Sequence, residues 1–141
     1  MGTTKIAVPR KGTLFQEDLC SDPFWMLVAC QLVNLTTWTA AEPVFHELRR
    51  SYPTQDALAR APLEAMAQTL APLGLYNRRA KTLTGMAQVF SSEVRTSDDV
   101  MRLPGCGKYA ADSWALFIEK RDDVEPNDGK LNWYVRERKV A

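Results

Sequence analysis

The sequence is poor in the residues that bind metals or cross-link a chain. It has three cysteines, Cys20, Cys30 and Cys106, a single histidine, His46, and no Cys-x-x-Cys pair. An odd number of widely spaced cysteines is typical of reduced thiols and not of a disulfide framework. We therefore expect no metal site, and in particular neither a zinc site nor an iron–sulfur cluster.

Long apolar segments are missing too. No uninterrupted apolar run approaches the ~20 residues that a membrane-spanning helix needs. Residues 1–13 lack the apolar block of a secretory signal, and we expect them to form a flexible tail. Together with the reduced cysteines, these absences predict an intracellular protein that does not contact a membrane.

Neither sign of charge is in clear excess. The chain has 18 lysines and arginines against 17 aspartates and glutamates, a formal net charge of +1. Domains that bind nucleic acid usually carry a basic excess. If this chain binds nucleic acid, its positive surface must come from the local placement of a few charges.

Alternation of apolar and polar residues, which marks β-strands, is absent as well, and almost every segment has a helical pattern. A length of 141 residues suits one domain, so we expect a single all-α domain at 14–141. Asp22-Pro23 predicts a helix start with Asp22 as N-cap, and the residues from there to about Val33 are apolar nearly all round. Further helices are predicted from Thr36 or Thr37 to Arg50 and over 54–60, 62–71, 78–94, 98–102 (capped by Ser97), 108–120 and 128–139.

The most specific local motif is a glycine hairpin between two predicted helices. Gly105 and Gly107 flank one residue and permit a tight reversal that exposes successive backbone N–H groups at the start of the next helix. Such a cup suits a DNA phosphate, and Lys108 adds a positive charge beside it. The alternative is an ordinary turn between helices, which a Gly-x-Gly pattern alone does not exclude.

A carboxylate stands at the head of the last predicted helix. Asp128 follows Tyr109 by nineteen residues and occupies the N-cap position. An aspartate at such a position is most often only a cap. It is also a rigid anion, and a rigid anion can stabilise positive charge that develops on a substrate. From the residues alone both interpretations stay open.

These motifs occur in an order that resembles the helix-hairpin-helix glycosylase superfamily (HhH-GPD), which includes endonuclease III. Within it the best resemblance is to the glycosylase domain of the methyl-CpG-binding thymine DNA glycosylase. The matching segments run through most of the chain: 16–17, 22–23, 32–34 with Thr36, 52–53, 72–76, 79–82, 105–109, 112–113 and 126–132. The resemblance implies a two-lobed helical fold, with the hairpin on one wall of the interlobe cleft and Asp128 at its base. The one ion that it allows is a monovalent cation at the hairpin.

The resemblance also implies roles for the residues of the cleft. Asp128 would be the catalytic carboxylate, stabilising an oxocarbenium-like sugar and orienting or deprotonating the attacking water. Tyr109 stands where strand-nicking members of the superfamily carry a nucleophilic lysine, so cleavage without strand scission is expected. Gln16, Tyr109 and Lys130 would contact a flipped pyrimidine. The alternative for Gln16 is a solvated residue before the first helix.

Two leucines are implied to contact the DNA stack. Leu75, next to Gly74 in a tight apolar turn, resembles the family's wedge, an apolar side chain pushed between bases; the alternative is a leucine that fills the core. Leu35 stands where the thymine glycosylase has an arginine that fills the space left by the flipped nucleotide. Leucine cannot donate hydrogen bonds, which predicts a looser requirement for guanine opposite the target base.

The resemblance thus implies a cofactor-free, monomeric enzyme of base excision repair that acts on double-stranded DNA. It would hydrolyse the N-glycosidic bond of a mispaired thymine or uracil, or of a 5-substituted uracil, with guanine as partner. One alternative is a catalytically inactive helix-hairpin-helix module that binds DNA structure, although such a module has no need of the segment Asn127–Lys130. A helical protein-interaction domain would leave the Gly-x-Gly hairpin unexplained.

Overall fold

The computed structural model describes residues 14–34 and 36–140, and within these ranges the chain is helical without strands. The all-α prediction is therefore confirmed. The predicted tail at 1–13 and Leu35 lie outside the described residues. The helices are α1 (Phe15–Leu19), α2 (Pro23–Leu32), α3 (Trp38–Ser51), α4 (Gln55–Ala59), α5 (Leu63–Leu70), α6 (Tyr76–Val89), α7 (Ser97–Met101), α8 (Lys108–Phe117) and α9 (Gly129–Val140), with a 3₁₀ turn at Ala71–Leu73 between α5 and α6.

Helix α2 forms the centre of the fold, as its apolar sequence predicts. Every residue from Phe24 to Leu32 is buried, and the helix packs against α1, α3, α6 and α8. Asp22 occupies the predicted N-cap position, but its side chain makes no capping hydrogen bond. Its carboxylate instead accepts a 3.0 Å hydrogen bond from Arg49 on α3. The prediction of a side-chain cap was wrong because this ion pair takes the carboxylate.

Helix α1 is not indicated by the sequence pattern. It has five residues and no capping hydrogen bond, so packing must hold it. The Phe15 ring stacks on Trp38 of α3 with ring centroids 4.7 Å apart. This contact turns the next residue, Gln16, into the interior of the protein, where it is 1% exposed. The interpretation of Gln16 as a solvated residue is therefore wrong.

Several helix ends differ from the prediction for local reasons. Thr37 and Thr54 cap α3 and α4 as expected, each accepting a backbone N–H bond three residues on. Helix α7 is capped by Thr96 and not by Ser97, because Thr96 and Asp99 form a reciprocal capping box. Helix α6 spans 76–89 instead of 78–94, and α8 ends at Phe117 instead of residue 120, where Lys120 adopts a left-handed backbone with φ +60°.

The helices pack in two groups that meet along α2 and α3. Helices α4 and α5 both pack on α6, whereas α7 packs on α8, and α8 also contacts α1 and α2. The loop after α2, the turn before α6, the hairpin before α8 and the start of α9 all border the cavities described below. In the part of the chain that the structure describes, no helix is long and apolar enough to cross a membrane.

Candidate active site

Asp128 is held at the start of α9 by two backbone groups. Its Oδ2 atom accepts hydrogen bonds from the N–H groups of Lys130 and Leu131, both at 3.0 Å. These bonds satisfy two donors at the helix N-terminus, so the predicted N-cap is confirmed. Oδ1 has no hydrogen-bond partner among the described residues. The side chain is thus rigid, partly exposed, and retains one oxygen for water or a substrate.

Gln16 and Tyr109 form the polar centre of the pocket wall. The Gln16 amide donates through Nε2 to the Tyr109 hydroxyl at 2.8 Å and to the Ser113 hydroxyl at 3.2 Å. Gln16 Oε1 is buried and has no partner among the described residues. Burial raises the pKa of Tyr109 above its ordinary value, and the nearby Cys30 and Asp128 raise it further. The tyrosine is therefore a neutral hydrogen-bonding group at physiological pH.

One pocket of about 690 Å³ contains all four residues predicted for catalysis and base binding. Gln16 and Tyr109 line it from α1 and α8, and Asp128 and Lys130 line it from the start of α9. The loop after α2 and the first turn of α3 complete the wall with Val33, Asn34, Thr36, Thr37, Trp38 and Thr39. The volume exceeds that of a pyrimidine and falls within the usual range for small-ligand sites.

The two lysines predicted for the site have different surroundings. Lys130 is exposed, and its ammonium group forms no ion pair among the described residues. The Lys108 ammonium donates to the Asp112 carboxylate at 2.9 Å and to the Glu125 carbonyl at 3.1 Å. Lys108 therefore connects the hairpin helix to the segment that leads to Asp128. Its charge is already paired, which weakens the expectation that it contacts a phosphate.

The hairpin depends on Gly105 for its shape. Gly105 has φ +75°, a backbone conformation that favours glycine, and an added Cβ atom would lie 2.5 Å from Gln31 Oε1. Gln31 on α2 in turn donates to the Pro104 carbonyl at 2.8 Å. Gly107 is different, because its backbone is extended and an added Cβ atom would meet nothing within 4 Å. Of the two hairpin glycines, only Gly105 is required by the fold of the free protein.

Leu75 lies beside a second, narrower cleft. Its backbone is left-handed with φ +50°, and the side chain is 53% exposed, so the core-filling interpretation is wrong. The cleft has a volume of about 220 Å³ and reaches from Leu75 to Gly105 of the hairpin. Asn34 lines both this cleft and the larger pocket, so the two cavities adjoin. The wedge role of this exposed leucine stays a prediction.

Two site residues carry roles that were not predicted. Ser113 accepts from Gln16, and it lies four residues after Tyr109, so helical spacing alone places both on one face. Gln31 supports the hairpin, and its signal was a polar side chain in an otherwise apolar helix. Among the described residues, no cluster of three or more histidine, cysteine or acidic side chains could hold a metal ion.

Comparison with known proteins places the chain in a family. The model of the HhH-GPD superfamily of base excision DNA repair proteins matches residues 30–135. The chain therefore belongs to this superfamily, as its hairpin and carboxylate indicate.

Two curated relatives and one solved structure are similar to the chain. A methyl-CpG-binding domain protein 4-like protein of Arabidopsis thaliana is 34% identical over 122 residues, which are 86% of this chain and 27% of the relative. A thymine/uracil-DNA glycosylase of Pyrobaculum aerophilum is 33% identical over 95 residues, 64% of this chain and 41% of the relative. The structure of a thermostable thymine-DNA glycosylase shares the fold, with a TM-score of 0.63 at 22% identity over 72% of this chain and 49% of that one. The chain thus spans about a quarter to a half of the length of these proteins.

Proposed function

We propose that this chain is a DNA glycosylase that removes a mispaired thymine or uracil, or a 5-substituted uracil, without cutting the strand. The observation that carries the proposal is the fixed Asp128 carboxylate, which shares one pocket with Gln16 and Tyr109. The names of the two curated relatives and family membership support it. The protein would act as a monomer on double-stranded DNA inside the cell, without a cofactor.

The reaction would break the C1′–N1 bond of a nucleotide that has left the base stack. The bonding electron pair departs with the base, and positive charge develops on the deoxyribose. Asp128, anchored through Oδ2, stabilises that charge and takes a proton from the water whose oxygen bonds to C1′. The base anion gains a proton from solvent, so the products are a free base and an abasic site.

The pocket would recognise the base by its polar edge. Thymine and uracil present one N–H donor between two carbonyl acceptors. Both N–H groups of Gln16 already have partners, whereas Oε1 has none among the described residues and suits the N–H of the base. Because Oε1 is closed off from solvent in the free protein, the amide must turn when a base enters. Lys130, exposed at the start of α9 and lining the same pocket, would contact a base carbonyl.

The surface around the cavities suits DNA despite the small net charge. Arg78 lines the narrow cleft and Lys130 lines the pocket, and neither forms an ion pair among the described residues. The hairpin N–H groups around Gly107 would bind a phosphate on one side of the extruded nucleotide. Leu75 would enter the base stack to replace lost stacking. On sequence grounds alone, Leu35 would fill the space left by the flipped nucleotide. Because leucine cannot donate hydrogen bonds, the requirement for guanine opposite the target base would be looser.

Base release can be tested on duplexes that contain G·T, G·U or G·hydroxymethyluracil, with an A·T duplex as control. Alkali added after incubation cleaves abasic sites, and we expect products from the mispaired duplexes only. Strand cleavage before alkali, or borohydride trapping of a protein–DNA adduct, would show that a lysine attacks the sugar. Tight binding without base release would identify the chain as an inactive DNA-binding module.

A further inference from the structure

Arg79 is a buried cation that no carboxylate of the described residues neutralises. The residue lies in the first turn of α6 and is 8% exposed. Its guanidinium donates to the carbonyl of Leu32, the last residue of α2, at 3.0 Å and to the carbonyl of Asn34 in the loop that follows. Among the ion pairs of the described residues, none involves Arg79. Burial lowers the pKa of this guanidinium, which reflects the cost of the unpaired charge.

The carbonyls that Arg79 binds explain how the charge is tolerated. The last carbonyls of a helix have no intrahelical partners and carry the negative end of the helix dipole. A planar guanidinium can donate to the Leu32 oxygen and to a loop oxygen at once, which an ammonium on a flexible stem does less well. Arg79 therefore joins the end of α2 to Asn34 in the loop that follows the helix and fixes the position of that loop.

The same residue is tied to the Leu75 turn through its backbone. The Arg79 N–H donates to the Leu75 carbonyl at 2.9 Å, which closes the first turn of α6. Leu75, Arg79 and Asn34 all line the narrow cleft that ends at Gly105. One residue thus connects the exposed leucine to the loop that borders the larger pocket.

We propose that Arg79 is a positioning residue that locks the Leu75 turn to the loop after α2, so that the Leu75 side chain enters a DNA duplex from a fixed position. The inference rests on the proposed function, because it assigns a purpose to the rigidity of that surface. A purely structural Arg79 would stabilise the fold without any specific connection to Leu75. The two interpretations therefore predict different coupling between substitutions at Arg79 and at Leu75.

A double-mutant cycle measures that coupling. The variants are Arg79→Met, Leu75→Ala and the pair together, with Arg60→Met as the control that removes an exposed arginine near the C-terminal end of α6. Base release from a G·T duplex is followed at saturating enzyme, and 2-aminopurine beside the target thymine reports extrusion. Circular dichroism at the assay temperature reports folding.

We expect Arg79→Met to reduce the extrusion signal and to slow base release at least about tenfold, with Arg60→Met within about twofold of wild type. The double variant should be no more than about threefold slower than Leu75→Ala alone, because the arginine acts through the leucine. Losses that multiply in the double variant, or an Arg79→Met rate near wild type, would overturn the proposal.

Two further experiments cover the cases in which Arg79→Met unfolds or the wild type is inactive. If Arg79→Met unfolds at the assay temperature, the cycle is run with Arg79→Lys, which keeps the charge but not the two-carbonyl fork. The same criteria then apply. If wild type releases no base, the proposed function fails, whereas the fluorescence cycle still tests Arg79, since extrusion does not require chemistry.

Discussion

Gln16 on α1 donates a 2.8 Å hydrogen bond to the Tyr109 hydroxyl on α8, across 93 residues of chain. This bond joins the first described helix to the helix that follows the hairpin. It also places an amide and a neutral phenol side by side in the pocket that contains Asp128. The polar centre of the site is therefore built before any ligand enters.

Tyr109→Phe should destabilise the protein by about 1–3 kcal/mol, because it leaves one buried N–H of Gln16 without an acceptor. Tyr52→Phe is the matched control, since the Tyr52 hydroxyl has no hydrogen bond among the described residues and should change stability by less than about 0.5 kcal/mol. Urea unfolding of the three proteins gives the comparison. Equal losses for the two variants would show that the Gln16–Tyr109 bond contributes nothing measurable.

Lys108→Met should leave the salt dependence of DNA binding nearly unchanged, because Asp112 already pairs with the ammonium. For the wild type, a few phosphate contacts predict a slope of log K against log[salt] of about −3 to −5. A lysine that binds phosphate would lower the magnitude of that slope by about 1 when removed. The control is Asp112→Asn, which frees the Lys108 charge. A clear decrease in the magnitude of the slope for Lys108→Met would show that Lys108 does contact a phosphate.

The two hairpin glycines should respond differently to valine. Gly105→Val meets Gln31 Oε1 and requires a left-handed backbone, so we expect a lower free energy of unfolding, by at least about 1–2 kcal/mol. Gly107→Val has open space and an ordinary backbone, so stability should hold while binding weakens equally for all DNA sequences. Thermal unfolding measures the stability of the two variants. Titration with matched and mismatched duplexes measures their DNA binding. A loss confined to one mismatch would contradict the phosphate role of the hairpin.

The Cys30 thiol should make stability depend on alkaline pH. Burial raises the pKa of Cys30 from 9.0 to about 12, so the folded state keeps a proton that the unfolded chain loses. This stabilisation is fully present below pH 9 and is lost as the pH rises towards 12, at about 1.4 kcal/mol per pH unit. Cys30→Ala should flatten the fall in unfolding free energy above pH 9. An unchanged slope in that variant would show that the thiol does not contribute.

The sequence was most informative where the signal is local. The glycine hairpin, the Asp128 cap and the apolar helix α2 each follow from residues within one or two turns of one another. The Lys108–Asp112 pair was equally visible, because residues four apart face each other on a helix. The prediction that Lys108 contacts a phosphate did not take this spacing into account.

Other features depend on distant partners and could not be derived from local pattern. Gln16 was assigned to the site by resemblance alone, since its burial comes from the packing of Phe15 on Trp38 and from Tyr109. The contacts of Arg79 span more than 40 residues and use backbone oxygens, which have no signature in the sequence. Pairings of this kind require the folded chain.

The most direct test of the proposed chemistry is single-turnover base release by Asp128→Asn on a G·T or G·U duplex. Asparagine is as good an N-cap as aspartate, so the start of α9 should persist while the negative charge is lost. The control Asp122→Asn changes an exposed carboxylate in the same connecting segment. We predict that Asp128→Asn binds these duplexes with nearly wild-type affinity and loses base release by at least about a hundredfold, whereas Asp122→Asn keeps it. Base release by Asp128→Asn at a rate close to wild type would show that another group performs the reaction.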